Sequence, residues 1–128
     1  MEMDRRSVML AGAVVALGFA SSSRAASPVK VSIPDDKSAF EPAEVRVKVG
    51  EFVEWTNHAI IGHTVTCDPR KAKDGKNVSL PSGASAFDSG ELAGEQTWRH
   101  QFTVPGRYRY FCILHEGMGM VGEVVVDA

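Results

Sequence analysis

From Val29 almost to the last residue, apolar side chains recur at every second position, in short runs separated by turn formers. Val29, Val31 and Ile33 alternate before the polar turn at Pro34-Asp35-Asp36-Lys37, and Val45, Val47 and Val49 alternate before Gly50-Glu51. Phe52 to Trp55 follows, ending at Thr56-Asn57. His63, Val65 and Cys67 form the next alternating set, then Trp98, His100 and Phe102, a Pro105-Gly106 turn, Tyr108 and Tyr110, and finally Val121 to Val126. A period of two places alternate side chains on opposite faces of a strand, one face buried and one wet. The three-and-four spacing of an amphipathic helix is absent over any useful length in this part of the chain. Short strands with turns between them predict an all-β sandwich. Asp68 to Ser89 breaks the rhythm with Pro69, Gly75, Pro81 and Gly83, and reads as a long surface loop with a short irregular edge strand.

The first 26 residues have a different character. Arg5 and Arg6 precede an apolar run from Val8 to Ala20, and small residues follow through Ala26. This order is that of a cleaved secretory signal, with cleavage expected after Ala25 or Ala26. The run is shorter than the roughly 20 apolar residues of a membrane-spanning helix. The arginine pair in Asp4-Arg5-Arg6-Ser7 also resembles a twin-arginine export signal. A domain over residues 27–128 then remains, enough for one core, in a periplasmic or otherwise exported protein with no membrane segment once the signal is gone. Removing residues 1–25 takes away three basic and two acidic residues and leaves a net charge of −3. A mildly acidic domain without basic clusters gives no electrostatic basis for nucleic-acid binding.

The chemistry is concentrated in Cys112-Ile-Leu-His115-Glu-Gly-Met-Gly-Met120. A thiolate, an imidazole and a thioether on one short loop suit copper, because soft sulfur stabilises Cu(I) while imidazole serves both oxidation states. His63, preceded by Gly62, is the candidate for a second imidazole. These residues, together with Phe40-Glu-Pro42, Val45-Arg-Val-Lys-Val-Gly50, Val53-Glu-Trp55, Gly62-His-Thr-Val65, Phe87-Asp-Ser-Gly90, Pro105-Gly-Arg-Tyr108 and Val121-Gly122, resemble the plastocyanin-like family of cupredoxins over nearly the whole domain. The resemblance implies a Greek-key sandwich of about eight strands with one type 1 copper at one end. It also implies His63, Cys112, His115 and Met120 as the ligands. Two positions depart from the family pattern: Leu114 stands where proline is common, and Thr64 where asparagine is frequent. Thr64 keeps the backbone N–H expected to reach the cysteine sulfur. The Gly-Met-Gly-Met stretch is shared with pseudoazurins, but the short C-terminal region fits the plastocyanin type better.

The function implied is one-electron carriage between redox partners by copper cycling between Cu(I) and Cu(II). A copper oxidase or nitrite reductase needs further copper sites, and the four histidines, His58, His63, His100 and His115, include no His-x-His pair. A cysteine hydrolase built on Cys112 and His115 leaves His63 and Met120 without a role. The remaining alternative is a periplasmic protein that binds or delivers copper without redox cycling.

Of the other residues, Met118 is expected at the surface, Cys67 as a small buried hydrophobe on the face of His63 and Val65, and His58 in solvent. His100 is expected to point inward. Leu114, Gly117, Met118 and Gly119 on one loop, with Ile60, Ile61 and Gly62 on another, should form an apolar rim around His115. There a monomeric carrier would meet cytochromes, reductases or dehydrogenases transiently. Glu116 and the Arg70–Lys76 loop are expected to act as steering charges.

Overall fold

The structure, a computed structural model, describes residues 27–128; the export signal expected over residues 1–26 lies outside the described residues. Eight strands follow in chain order: β1 (Val29–Ile33), β2 (Glu44–Lys48), β3 (Phe52–Asn57), β4 (Thr66–Cys67), β5 (Phe87–Asp88), β6 (Thr97–Gln101), β7 (Gly106–Phe111) and β8 (Val121–Asp127). They form two sheets, one ordered β1-β3-β6 and the other β2-β8-β7-β4-β5. Two of the pairings, β1 with β3 and β2 with β8, are parallel, and the rest are antiparallel. The all-β sandwich read from the alternation is the fold observed. Among the described residues no helix is long and apolar enough to cross a membrane.

Alternation becomes packing most plainly in β2 and β3, where every second residue is buried. Trp55 of β3 faces Tyr110 of β7 across the gap between the sheets. Trp55 Nε1 donates to Tyr110 Oη at 3.1 Å, and the two rings meet edge-to-face at 5.4 Å. Both side chains are fully buried, so this hydrogen bond satisfies the two polar atoms that their large apolar bodies carry inward. Phe40 closes on Tyr110 from one side, while Phe102 packs against Trp55 and Tyr108. Tyr108 Oη donates to Val104 O at 2.6 Å and fastens the Pro105-Gly106 turn to β7.

Two expectations need correction. The alternating strand read from His63 to Cys67 is regular only at Thr66–Cys67, and His63 makes a single bridge to Leu92. Both faces of this stretch are buried, from His63 through Asp68, because the following segment folds back over the outer one. Val65 N–H donates to Ser89 Oγ at 2.8 Å, and Ser89 N–H returns a bond to Val65 O at 2.9 Å. Burial on both faces erases the alternation that a two-sided strand would show. Val49, the third residue of its alternating set, lies beyond the end of β2 and is 42% exposed.

Asp68 to Ser89 is the loop with an edge strand that its composition predicts. It contains two single 3-10 turns, Pro69–Lys71 and Gly75–Asn77, each opened by an aspartate, Asp68 or Asp74, whose side chain accepts from the backbone N–H two residues on. β5 then pairs with β4 at the sheet edge.

Candidate metal centre

β7 ends and β8 begins at the same end of the sandwich, and the nine residues Cys112–Met120 connect them there. The connection closes on itself: Cys112 N–H donates to Met120 O at 3.1 Å, and His115 N–H donates to Cys112 O at 3.3 Å. Between these bonds the chain runs in 3-10 turns over Ile113–Met118, broken at His115, whose φ of −129° and ψ of 23° bend it. Gly119 ends the turns at φ 78°, a left-handed conformation costly to any residue with a Cβ. Its N–H donates to Glu116 O at 3.0 Å.

This folding brings three candidate donors together. Cys112 Sγ lies 3.4 Å from His115 Nδ1 and 3.8 Å from His63 Nδ1, and the donor atoms of all three residues fall within 4.8 Å of one another. His63 and Cys112 are fully buried and His115 is half-buried. Met120, the fourth residue expected, is buried at the closing end of the loop. Its backbone bonds Cys112, as above, and reaches His115 O at 3.4 Å. A thiol and two imidazoles in a buried cluster, with a thioether on the same loop, fit copper in both its common oxidation states. Burial, followed by repulsion from His115, lowers the pKa of His63, which favours the neutral imidazole that a metal requires.

Thr64 joins the two halves of the site. Its N–H donates to Cys112 Sγ at 3.3 Å, as expected from its position after His63. Its hydroxyl oxygen accepts from Ile113 N–H at 2.9 Å and lies 2.8 Å from Thr66 Oγ1. Thr66 in turn donates to Asp88 Oδ1 at 3.0 Å, and Lys71 Nζ donates to Asp88 Oδ2 at 2.7 Å. A threonine is thus long enough to link the two ligand-bearing segments. The Lys71–Asp88 and Arg70–Asp68 ion pairs also show that two cations of the basic loop are paired.

Glu116 is not the exposed steering charge that its loop position suggests. It is only 6% exposed, and its carboxylate accepts from the N–H groups of Lys73 and Asp74 and from Asn77 Nδ2, each at 3.0 Å. Burial pushes its pKa up, but these donors outweigh burial and hold it below the usual glutamate value. Asn57 was missed as well. Buried at the end of β3, it donates from Nδ2 to Ile61 O and Leu92 O, both at 2.9 Å, while Oδ1 accepts from Ala59 N–H at 2.9 Å. It thereby fixes the loop that leads to His63. The only sequence signal for this role was an asparagine at a strand end.

The remaining candidates fall outside the cluster. Cys67 and Cys112 are both free thiols. Cys67 Sγ donates to the carbonyls of Arg109 and Ser79, and burial, then the charge of Asp68, pushes its pKa up to about 12. His100 is half-buried between Phe87 and Trp98, with ring centroids at 4.2 and 5.6 Å, and burial lowers its pKa. His58 is exposed and faces Glu95 at 3.1 Å. Ile60, Ile61, Leu114 and Met118 are 98, 50, 51 and 70% exposed, so the apolar side chains expected at the rim do reach the surface.

Residues 27–127 match the model of a family described as copper binding proteins, plastocyanin/azurin family. The chloroplastic plastocyanin of Tetradesmus obliquus is 36% identical over 115 residues, spanning 90% of this chain and 76% of the algal protein. The plastocyanin of Nostoc punctiforme is 34% identical over 109 residues, or 82% of this chain and 78% of its own. Among solved structures, a Cu(I) form of an amicyanin variant superposes with a TM-score of 0.62 at 30% identity, covering 84% of this chain and 89% of that one.

Proposed function

This chain belongs to the plastocyanin/azurin family of copper-binding proteins, cupredoxins that carry electrons rather than catalyse reactions, and we propose that His63, Cys112, His115 and Met120 hold its single type 1 copper. The protein is a copper electron carrier; its cycling between Cu(I) and Cu(II), its ligands and its partners are our reading. The observation that carries the ligand assignment is the buried convergence of Cys112 Sγ with the Nδ1 atoms of His63 and His115. Copper supplies the one-electron couple, and the chain's part is to hold one geometry through both oxidation states. Three features support that: the closed neck at Cys112 and Met120, the Thr64 link, and the Thr64 N–H that satisfies sulfur inside the core. A protein that delivers copper without redox cycling would need a donor set that opens easily, and these constraints oppose opening. Voltammetry of the copper-loaded protein should show a reversible one-electron wave over repeated cycles. Loss of metal on each reduction would support delivery instead.

Electrons enter and leave, on this reading, through the half-buried His115. The exposed apolar rim around it lets a redox partner approach closely and leave quickly, with the protein acting as an exported monomer. Leu114→Lys or Met118→Lys should slow electron self-exchange between oxidised and reduced copies, read by NMR line broadening. A lysine ammonium desolvated or repelled at such a contact costs on the order of 1.4 kcal/mol, which is about tenfold in rate. Colour should be unchanged. Unaltered exchange in both variants would place the contact on another face.

A further inference from the structure

We propose that Glu116 is a positioning residue of the copper site, and that through it the Pro69–Asn77 segment forms part of the metal's support. The inference rests on the reading that Cys112, His115 and Met120 ligate copper from one loop. That loop has two halves with separate tethers. The Cys112–Ile113 half is bound by Thr64 through Sγ and through the Ile113 N–H. The half from His115 to Met120 contains Gly117, Met118 and Gly119, all exposed and none with a polar side chain. Glu116 and Met120 are the buried residues of that half, and of the two Glu116 carries the polar side chain, which tethers it.

The tether is built to hold. Its donors lie 39 to 43 positions upstream, and two of them are successive backbone N–H groups, Lys73 and Asp74. Adjacent N–H groups of this kind make a concave anion site, and Asn77 Nδ2 adds a third donor. A buried carboxylate is costly without such partners, so the position of Glu116 is strongly determined by them. The segment that supplies the donors is itself fixed by the Asp68 and Asp74 caps and by the Lys71–Asp88 pair. On the loop side, Glu116 O accepts from Gly119 N–H, so backbone and side chain are both held. The backbone leaves helical φ and ψ at His115, so the turns on its two sides do not form one regular helix and the far half gains from a tether of its own. Charge placed one residue from a ligand, and held at fixed distance, also keeps its influence on the metal constant.

Glu116→Ala and Asn77→Ala, singly and together, test this in copper-loaded and copper-free protein. Removing outer partners of metal ligands commonly costs 10- to 100-fold in metal affinity. Glu116→Ala should therefore release Cu(I) to a competing chelator at least about tenfold faster, and Asn77→Ala about threefold faster. The double variant should be no worse than Glu116→Ala alone, since both changes break one tether. Without copper, the Lys73 and Asp74 amides of Glu116→Ala should exchange hydrogen at least about tenfold faster than in the parent. Unchanged copper release in folded Glu116→Ala would reduce the residue to a structural part and overturn the proposal. If that variant does not fold, parental release by Asn77→Ala overturns it equally. A parent that is not blue would instead defeat the ligand reading on which the proposal rests.

Discussion

Cys112→Ser should leave a folded sandwich whose Cu(II) form has lost essentially all of the intense blue colour of the parent. The colour of a type 1 site comes from charge transfer out of a thiolate held with two imidazoles in a trigonal set. Cys112 Sγ is the atom on which the set converges, close to both Nδ1 atoms and hydrogen-bonded by Thr64 N–H. Serine keeps the size of the side chain within one atom, so the packing at the end of β7 should survive. Its hydroxyl does not ionise at neutral pH and is a harder donor, so the soft covalent bond responsible for the band is gone. Circular dichroism checks the fold, while absorption and electron paramagnetic resonance check the metal. A blue serine variant, or a colourless Cu(II) parent, would end the type 1 assignment.

The second large effect is structural. Gly122 pairs with Tyr110 across β8 and β7, and the tyrosine ring lies directly over it. A Cβ at position 122 would fall 2.4 Å from both Cζ and Oη of Tyr110, well inside contact distance. The ring cannot retreat freely, because it is fully buried between Phe40 and Trp55 and its hydroxyl accepts the Trp55 Nε1 bond. Gly122→Ala therefore forces either a shift of β8 against β7 or loss of the bond that spans the two sheets. Overpacking of this kind costs about 1–3 kcal/mol, and leaving a buried indole N–H unpaired adds a similar amount. We expect a loss of about 3 kcal/mol, which for a domain of this size lowers Tm by roughly 12 °C or more. A thermal midpoint within two or three degrees of the parent, roughly the effect of 0.5 kcal/mol, would show that the ring finds room elsewhere.

The sandwich and the donors were legible because both leave patterns in residue type. Alternation marks β1, β2 and β3, and the Cys112–Met120 spacing marks a loop that can surround a metal. The support of the site left much less. In the sequence Glu116 reads as a surface charge, because an acidic residue between His115 and Gly117 has no periodic pattern to reveal burial. Two of its partners are backbone N–H groups, which carry no residue identity, so no sequence motif could announce them. Alternation failed after His63 for a related reason. Coverage of the outer face comes from Ser79, Asp88 and Ser89, whose own sequence reads as loop. Thr64 shows the opposite case: the role implied for its position was kept even though its side chain is shorter.

The order of strands in the larger sheet sets when this protein can become whole. β8 lies between β2 and β7, so its edges complete two pairings at once, one of them with a strand some 80 positions earlier in the chain. Until residues 121–127 have left the ribosome, β2 has no partner and β7 presents an open edge on one side. Such unpaired edges favour association with other chains, so a truncated product would be an aggregation hazard. Long-range parallel pairing also closes slowly, because the intervening chain must be ordered before the contact is rewarded. Three of the four proposed copper ligands lie on the segment joining β7 to β8. Metal capture therefore waits until the segment joining β7 to β8 has been made, and a chain that lacks it has no formed copper site.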